Sequence, residues 1–448
     1  MTATAARVRR SARNGLIILV PLILVGGAGK AVAHAATQAT PSGTGVLVRQ
    51  QLQPGSAEIG GGHFGTGLAM AGDGKTLLVG APGRGHSGGT VWAYIHTATG
   101  WSRQVQLTPE SGSRAACFGT SVALSFDGST ALVGDPCFDD MRGAVWAFAR
   151  TGSRWTPIGG GLTGAAQQGA GNYGTSVALS SDGKVALVGA PGDDLNTGAA
   201  WVFLRKGSRW AEAGPKLRGR GEAGAGEVGL GVALSADGTT ALLGGPVDDH
   251  SKGAAWVFSR SGARWVEQGG KLTARGGAHD DEFGWSVALS AAGDTALIGS
   301  PSAGAWGQAM IFGRASGAWR ERERLALDGK GSAGLTGGYG VSVALSAAGT
   351  TALVGSGLHN TNAAAAALLT RSGGTWSSRG LTLASSRAID AVNVAFAGNG
   401  ATPVVASPTA YSNAGAVWAF SFLNVTPPTF STTPQHPAKS TKPGPLVA

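Results

Sequence analysis

Charge is sparse in this 448-residue chain: 13% of it is Asp, Glu, Lys or Arg. No stretch keeps a helical period, which excludes a helical bundle. Cysteine is nearly absent. Cys117 and Cys137 are the only two, too few for a disulfide-dense scaffold, and neither follows an apolar leader as a lipid-anchored cysteine does. Long apolar runs are missing as well, except for Gly15 to Val25, which is short for a spanning helix. No nucleophile elbow, phosphate-binding loop, zinc-ligand spacing or His-Glu-x-x-His motif occurs. The chain is instead rich in glycine, with 77 residues, and carries 13 tryptophans, a balance that suits short strands joined by tight turns.

The first 36 residues read as a signal peptide. Arg7, Arg9, Arg10 and Arg13 precede the apolar run, and small residues at Ala31, Ala33 and Ala35 follow it. Cleavage after Ala33 or Ala35 predicts a secreted or cell-surface protein with no membrane span left, and Arg9-Arg10 hints at twin-arginine export. Those four arginines and Lys30 account for half of the formal charge of +10, so the mature chain offers little electrostatic case for nucleic acid. From Asn424 the sequence turns to Pro, Thr, Ser and Lys, and residues 424–448 are expected to be a disordered tail.

Between these ends the sequence repeats itself. Phe64-Gly65, Phe118-Gly119, Tyr173-Gly174, Val228-Gly229, Phe283-Gly284 and Tyr339-Gly340 open successive units, and a degenerate copy begins at Ala391-Val392. Each unit parses into four strands. In the third these are Val177 to Ser180, Ala186 to Gly189, Ala199 to Phe203 and a strand opened by Trp210. Asp182-Gly183 turns the first hairpin, and Pro191, lacking an N–H, stops the second strand. One such sheet cannot bury both faces alone, so the units must stack around an axis. The third-strand residues Trp92, Trp146, Trp201, Trp256, Met310 and Trp418 are expected to fill the space between blades. The seventh unit lacks a fourth strand, whereas Val46 to Leu52 resembles a fourth strand with no unit before it. The sequence therefore predicts an all-β, seven-bladed β-propeller over residues 37–423, closed by residues 46–52 pairing into the last blade. If the Asp127-Gly128 turn sets the register, Cys117 and Cys137 become neighbours and form a disulfide.

The Phe-Gly start joined to a Gly-Ala-Pro end, as in Phe64-Gly65 with Gly80-Ala81-Pro82 and Tyr173-Gly174 with Gly189-Ala190-Pro191, resembles the FG-GAP repeat family, best known from the head propellers of integrin α chains. The resemblance covers most of the repeat array. It implies a non-enzymatic extracellular binding or scaffolding module whose ligands engage one propeller face. The family's Asp-rich calcium loop between the first two strands has no counterpart here, since a segment such as Ser180 to Lys184 offers one carboxylate. Asp73, Asp127, Asp182 and Asp237 are accordingly read as turn residues.

Propeller geometry sorts the charges onto two faces. Loops joining strands three and four gather Arg150, Arg154, Arg205, Lys206, Arg209, Arg260, Arg264, Arg314 and Arg320 on the first, where an anionic envelope polymer is a candidate partner. The second face collects the candidate ligand-binding residues Asp139, Asp140, Asp193, Asp194, Asp248, Asp249, His250, His279, Asp280 and Asp281. No cofactor is expected, although the paired aspartates are a conceivable seat for a divalent cation. The expected partner is an extracellular protein or polysaccharide. Two alternatives stand beside this: a hydrolase using Asp248-Asp249-His250 with His279-Asp280-Asp281, where imidazole beside carboxylate suits acid–base or metal chemistry, and a purely structural envelope protein.

Overall fold

The computed structural model describes residues 45–54, 62–83, 88–109, 117–262, 264–325, 337–357, 365–381 and 392–424. The predicted signal peptide and all but the first residue of the tail lie outside them. Twenty-eight strands form seven antiparallel sheets of four. Six blades are simple meanders. Blade 3, for example, runs through Ser176–Leu179, Val185–Ala190, Ala199–Lys206 and Arg209–Glu212.

The seventh blade takes its outer strand from the other end of the chain. Gly45–Leu52 pairs antiparallel with Ala416–Asn424, from Gly45 opposite Asn424 to Leu52 opposite Val417. The latch read from the sequence is therefore present. Phe64 also bridges Gly415 in parallel, as Tyr173 bridges Gly143 and Phe283 bridges Gly253. The contact that closes the ring thus repeats the contact between consecutive blades.

The core lies between sheets. Each of the seven apolar clusters draws on two adjacent blades, as where Leu187 and Val202 of blade 3 meet Leu243 and Trp256 of blade 4. Trp92, Trp146, Trp201, Trp256, Met310 and Trp418 are all buried there, each contributing about 2–3 kcal/mol of apolar burial. Glycine is required where blades touch most closely. A Cβ on Gly189 would come within 2.0 Å of the Gly229 carbonyl oxygen of the next blade.

One end of the axis carries a closed ring of backbone hydrogen bonds that the sequence did not announce. Phe126 N–H donates to Ser181 O, Ser181 to Ala236, Ala236 to Ala291, Ala291 to Ala347, Ala347 to Gly398 and Gly398 to Gly72, and Asp73 N–H returns to Phe126 O, all at 2.8–3.1 Å. The ring tightens the hub, so small residues dominate it. Phe126 is the exception, and glycine accommodates it: a Cβ on Gly72 would lie 2.1 Å from its ring. Among the described residues no helix is long and apolar enough to cross a membrane.

Candidate functional site

The ten candidate residues fall on the face opposite that hub, in the loops between second and third strands and in the links between blades. Four of these loops, Phe138–Met141, Asp193–Asn196, Asp248–Ser251 and Ala410–Asn413, share one unusual backbone. Three consecutive non-glycine residues take positive φ: 50°, 52° and 68° at Asp139, Asp140 and Met141, 52°, 59° and 68° at Asp194, Leu195 and Asn196, and similar values at 249–251 and 411–413. This is a left-handed turn, which costs an L-residue roughly 1–2 kcal/mol at each position. Hydrogen bonds hold it. Gly198 N–H donates back to Asp193 O at 2.9 Å, and the link into the next blade grips the turn, with Glu227 N–H donating to Asn196 O at 2.8 Å. Asn172, Glu282 and His63 repeat that grip on the other three turns.

The aspartates divide into two groups. Asp193 is buried, and its oxygens are spent inside the blade: Oδ1 accepts from Gln168 N at 2.7 Å, and Oδ2 pairs with Lys216 Nζ at 2.5 Å, with Arg218 at 3.7 Å. Asp248 repeats the arrangement with Ala223 N at 2.7 Å and Lys271 Nζ at 2.6 Å. Asp139 and Asp140 are exposed on the turn of blade 2, beside a recess of about 280 Å³ bounded by Phe138, Arg142 and Gln167. Asp194 pairs with Arg218 at 2.8 Å. Asp249 accepts from Lys252 at 3.1 Å and lies 3.3 Å from His250 Nδ1, contacts that hold its carboxyl below the ordinary carboxylate range.

The two predicted His–Asp clusters do meet. The rings of His250 and His279 lie edge to face with centroids 5.3 Å apart, and Asp280 N–H donates to His250 O at 3.3 Å. Asp281 Oδ2 accepts from Ala278 N at 2.7 Å within its own link. His250 is highly exposed, and its Nδ1 faces the Asp249 carboxylate on the same turn. No group of three or more His, Cys, Asp or Glu among those residues is arranged to hold a metal ion.

Sequence reasoning missed the apolar tips of this face. Leu195 is 90% exposed, Trp306 52% and Tyr411 47%. Leu195 occupies the turn position that His250 holds in blade 4, a correspondence that appears only when the loops are counted back from Gly198 and Gly253. It also missed Glu227, whose carboxyl is pushed up by burial and by the charge of Glu282 in the adjoining link.

On the first face several cations serve the fold. Arg150 Nη1 donates to Thr76 of the preceding blade at 2.8 Å and Arg205 to Thr130 at 2.9 Å, while their Nε atoms cap Gly152 O and Gly207 O. The turn aspartates act as read. Burial opposes ionisation of Asp127, but hydrogen bonds from Ser125 Oγ and Ser129 N outweigh it and keep the carboxyl low.

The predicted disulfide joins Cys117 and Cys137, with Cα atoms 5.4 Å apart. Residues 164–203 and 265–315 match the family model described as FG-GAP repeat. No curated protein matches the chain. Solved structures do, among them the periplasmic gluconolactonase of Pseudomonas aeruginosa, 21% identical over 72% of this chain and 86% of that one with a TM-score of 0.47. Hydrazine synthase of Kuenenia stuttgartiensis is 14% identical over 82% of this chain and 98% of its own, with a TM-score of 0.50. At such identities the likeness is one of fold. The disulfide and the repeats are consistent with an extracellular protein, and the chain is a seven-bladed β-propeller that carries FG-GAP repeats over residues 164–203 and 265–315.

Proposed function

We propose that this propeller is an extracellular recognition module that seats a protein or polysaccharide on the face formed by the left-handed turns. The observation that carries the reading is the repetition of a strained loop at four places on one face. Such strain persists where surrounding structure enforces it and clusters at ligand-contacting sites. Here it lifts Asp140, Leu195, His250 and Ser412 clear of the blades, and the same face exposes Trp306 and Tyr411. Aromatic rings suit both a protein hot spot and the apolar side of a sugar.

The test is co-sedimentation of the full chain with isolated cell envelopes and with insoluble polysaccharides, with and without EDTA. Combined Leu195→Ser, Trp306→Ala and Tyr411→Ser substitutions are expected to weaken binding about tenfold or more, while Lys206→Ala on the first face leaves it unchanged. Loss with EDTA would assign a cation to the exposed aspartates. Equal binding by the triple variant and the parent would overturn the reading, as would a hydrolytic turnover abolished by His250→Ala.

A further inference from the structure

Blade 2 departs from its neighbours in two linked ways. Its second strand ends in Asp135, where the other blades have Ala81, Ala190, Gly245, Ser300, Ser356 and Ser407, and it contains the disulfide. Asp135 exposes 0% of its surface. Its Oδ1 accepts the Cys117 N–H at 3.0 Å, and Cys137, two residues further on, also turns its amide towards the carboxylate. Oδ2 is buried without a hydrogen-bond partner among the described residues. Alanine, glycine or serine satisfies this position elsewhere, so packing does not call for an acid, and an idle buried oxygen is costly. What sets blade 2 apart is the sulfur beside it.

We propose that Asp135 makes the Cys117–Cys137 bridge a pH-gated redox switch, closed while the carboxylate is ionised and open to reduction once it is protonated. Both half-cystines are only partly buried, so a small dithiol has access. Its thiolate attacks one sulfur, the S–S bond breaks, a mixed disulfide forms and the other cysteine leaves as thiolate. The reductant's second thiol then expels the remaining cysteine. The reductant ends as a cyclic disulfide, and the protein gains two electrons and two protons. A negative charge beside the sulfurs disfavours the departing thiolate, whereas a protonated carboxyl can hand it a proton.

Burial pushes the Asp135 carboxyl up to about 6, against the pull of the Cys117 and Cys137 amides, which places the gate in a mildly acidic range. Among the described residues few other charges face it; Glu110 and Arg114, which precede Cys117, lie outside them. Asp139, Asp140 and Arg142 are on its own loop and point to solvent, the adjoining strand Ser121–Leu124 has no titratable group, and Arg150 sits at the far end of Ala144–Thr151. The blade 1 residues against Gly119, beside Cys117, are Ala81, Thr90 and Val91, which do not titrate, and from blade 3 the buried Tyr173 bridges Gly143. Opening the bridge frees the turn of Asp139 and Asp140 from the start of its blade.

The test follows thiol release from the folded full chain in dithiothreitol between about pH 5 and about pH 8, each rate divided by the reductant's thiolate concentration. The corrected rate of the parent is expected to fall about tenfold as pH rises through about 6, and that of Asp135→Asn to stay flat. Asp135→Ser, the residue of blades 5, 6 and 7, replaces it if the asparagine variant does not fold, and if neither folds the parent's profile decides. A flat parent profile overturns the proposal, as does the same fall in parent and variants.

Discussion

The buried pair of Asp193 and Lys216 offers the sharpest test of how the face of the left-handed turns is built. The Asp193 side chain is 0% exposed and that of Lys216 11%, with 2.5 Å between charges, and the ammonium also lies 5.3 Å from the centre of the Trp201 ring. Lys216→Met keeps most of the stem's packing and removes the charge, leaving a carboxylate sealed in the blade. Breaking such a pair costs about 3–5 kcal/mol. Arg218, already 3.7 Å from Asp193, can move in, so the expected loss is about 3 kcal/mol, or roughly 0.5 M in the guanidinium midpoint of a chain this size. Blade 2 supplies the compensating change. Phe138 stands where Asp193 does, Gly161 where Lys216 does, and Phe138 packs edge-on against Trp146 at 5.8 Å. Transplanting that solution, Asp193→Phe with Lys216→Gly, is expected to recover at least half of what Lys216→Met loses. Unfolding followed by tryptophan fluorescence measures all the variants. A loss below about 1 kcal/mol for Lys216→Met, or a double variant no better than Asp193→Phe alone, would refute the argument that the blade depends on pairing this buried charge.

Two further outcomes follow from other buried groups. Tyr173 and Tyr339 bury hydroxyls without partners at the position that Phe64, Phe118 and Phe283 fill elsewhere, so Tyr173→Phe and Tyr339→Phe are each expected to raise stability by about 1 kcal/mol in chemical denaturation. For Asp135, whose carboxyl moves from 3.8 to about 6 on folding, the stability contributed by its proton is complete below about pH 4 and lost as pH rises through 6. Asp135→Asn should therefore match the parent at about pH 3.5 and exceed it at pH 7. The ceiling is about 3 kcal/mol, which partial solvent screening reduces to about 1–2 kcal/mol, read as the pH dependence of the difference between their unfolding free energies.

The fold was legible because its determinants are local and recur. Phe-Gly starts, Asp-Gly hairpins and the third-strand tryptophans each fix a strand by period or by turn chemistry, and the unit starts, 54 to 56 residues apart until a shorter last step, count the blades. The latch at residues 46–52 could be inferred because a missing strand at one end and a surplus strand at the other have a single closed solution. The axial hydrogen-bond ring was not legible. It uses backbone groups of Gly72, Asp73, Phe126, Ser181, Ala236, Ala291, Ala347 and Gly398, whose side chains share nothing but, in six of eight cases, small size.

The face of the left-handed turns shows why composition misleads where backbone conformation decides. Asp139-Asp140, Asp193-Asp194 and Asp248-Asp249 look like one motif in three copies. Counted back from Gly143, Gly198 and Gly253, they are not in register: Phe138 takes the buried place of Asp193 and Asp248, and the blade 2 pair is displaced one residue outward. The same two letters therefore make an internal ion pair with an exposed neighbour in blades 3 and 4, and two exposed carboxylates in blade 2. Sequence alone registers the dipeptide, but the left-handed turn sets which carboxylate meets solvent. Its exposed third position, occupied by Asp140, Leu195, His250 and Ser412, has a different chemistry in each of the four blades that have the turn. On the proposed function, one backbone turn repeated in four blades with a different side chain at each tip suits a ligand that is itself irregular, each turn reading a different part of it.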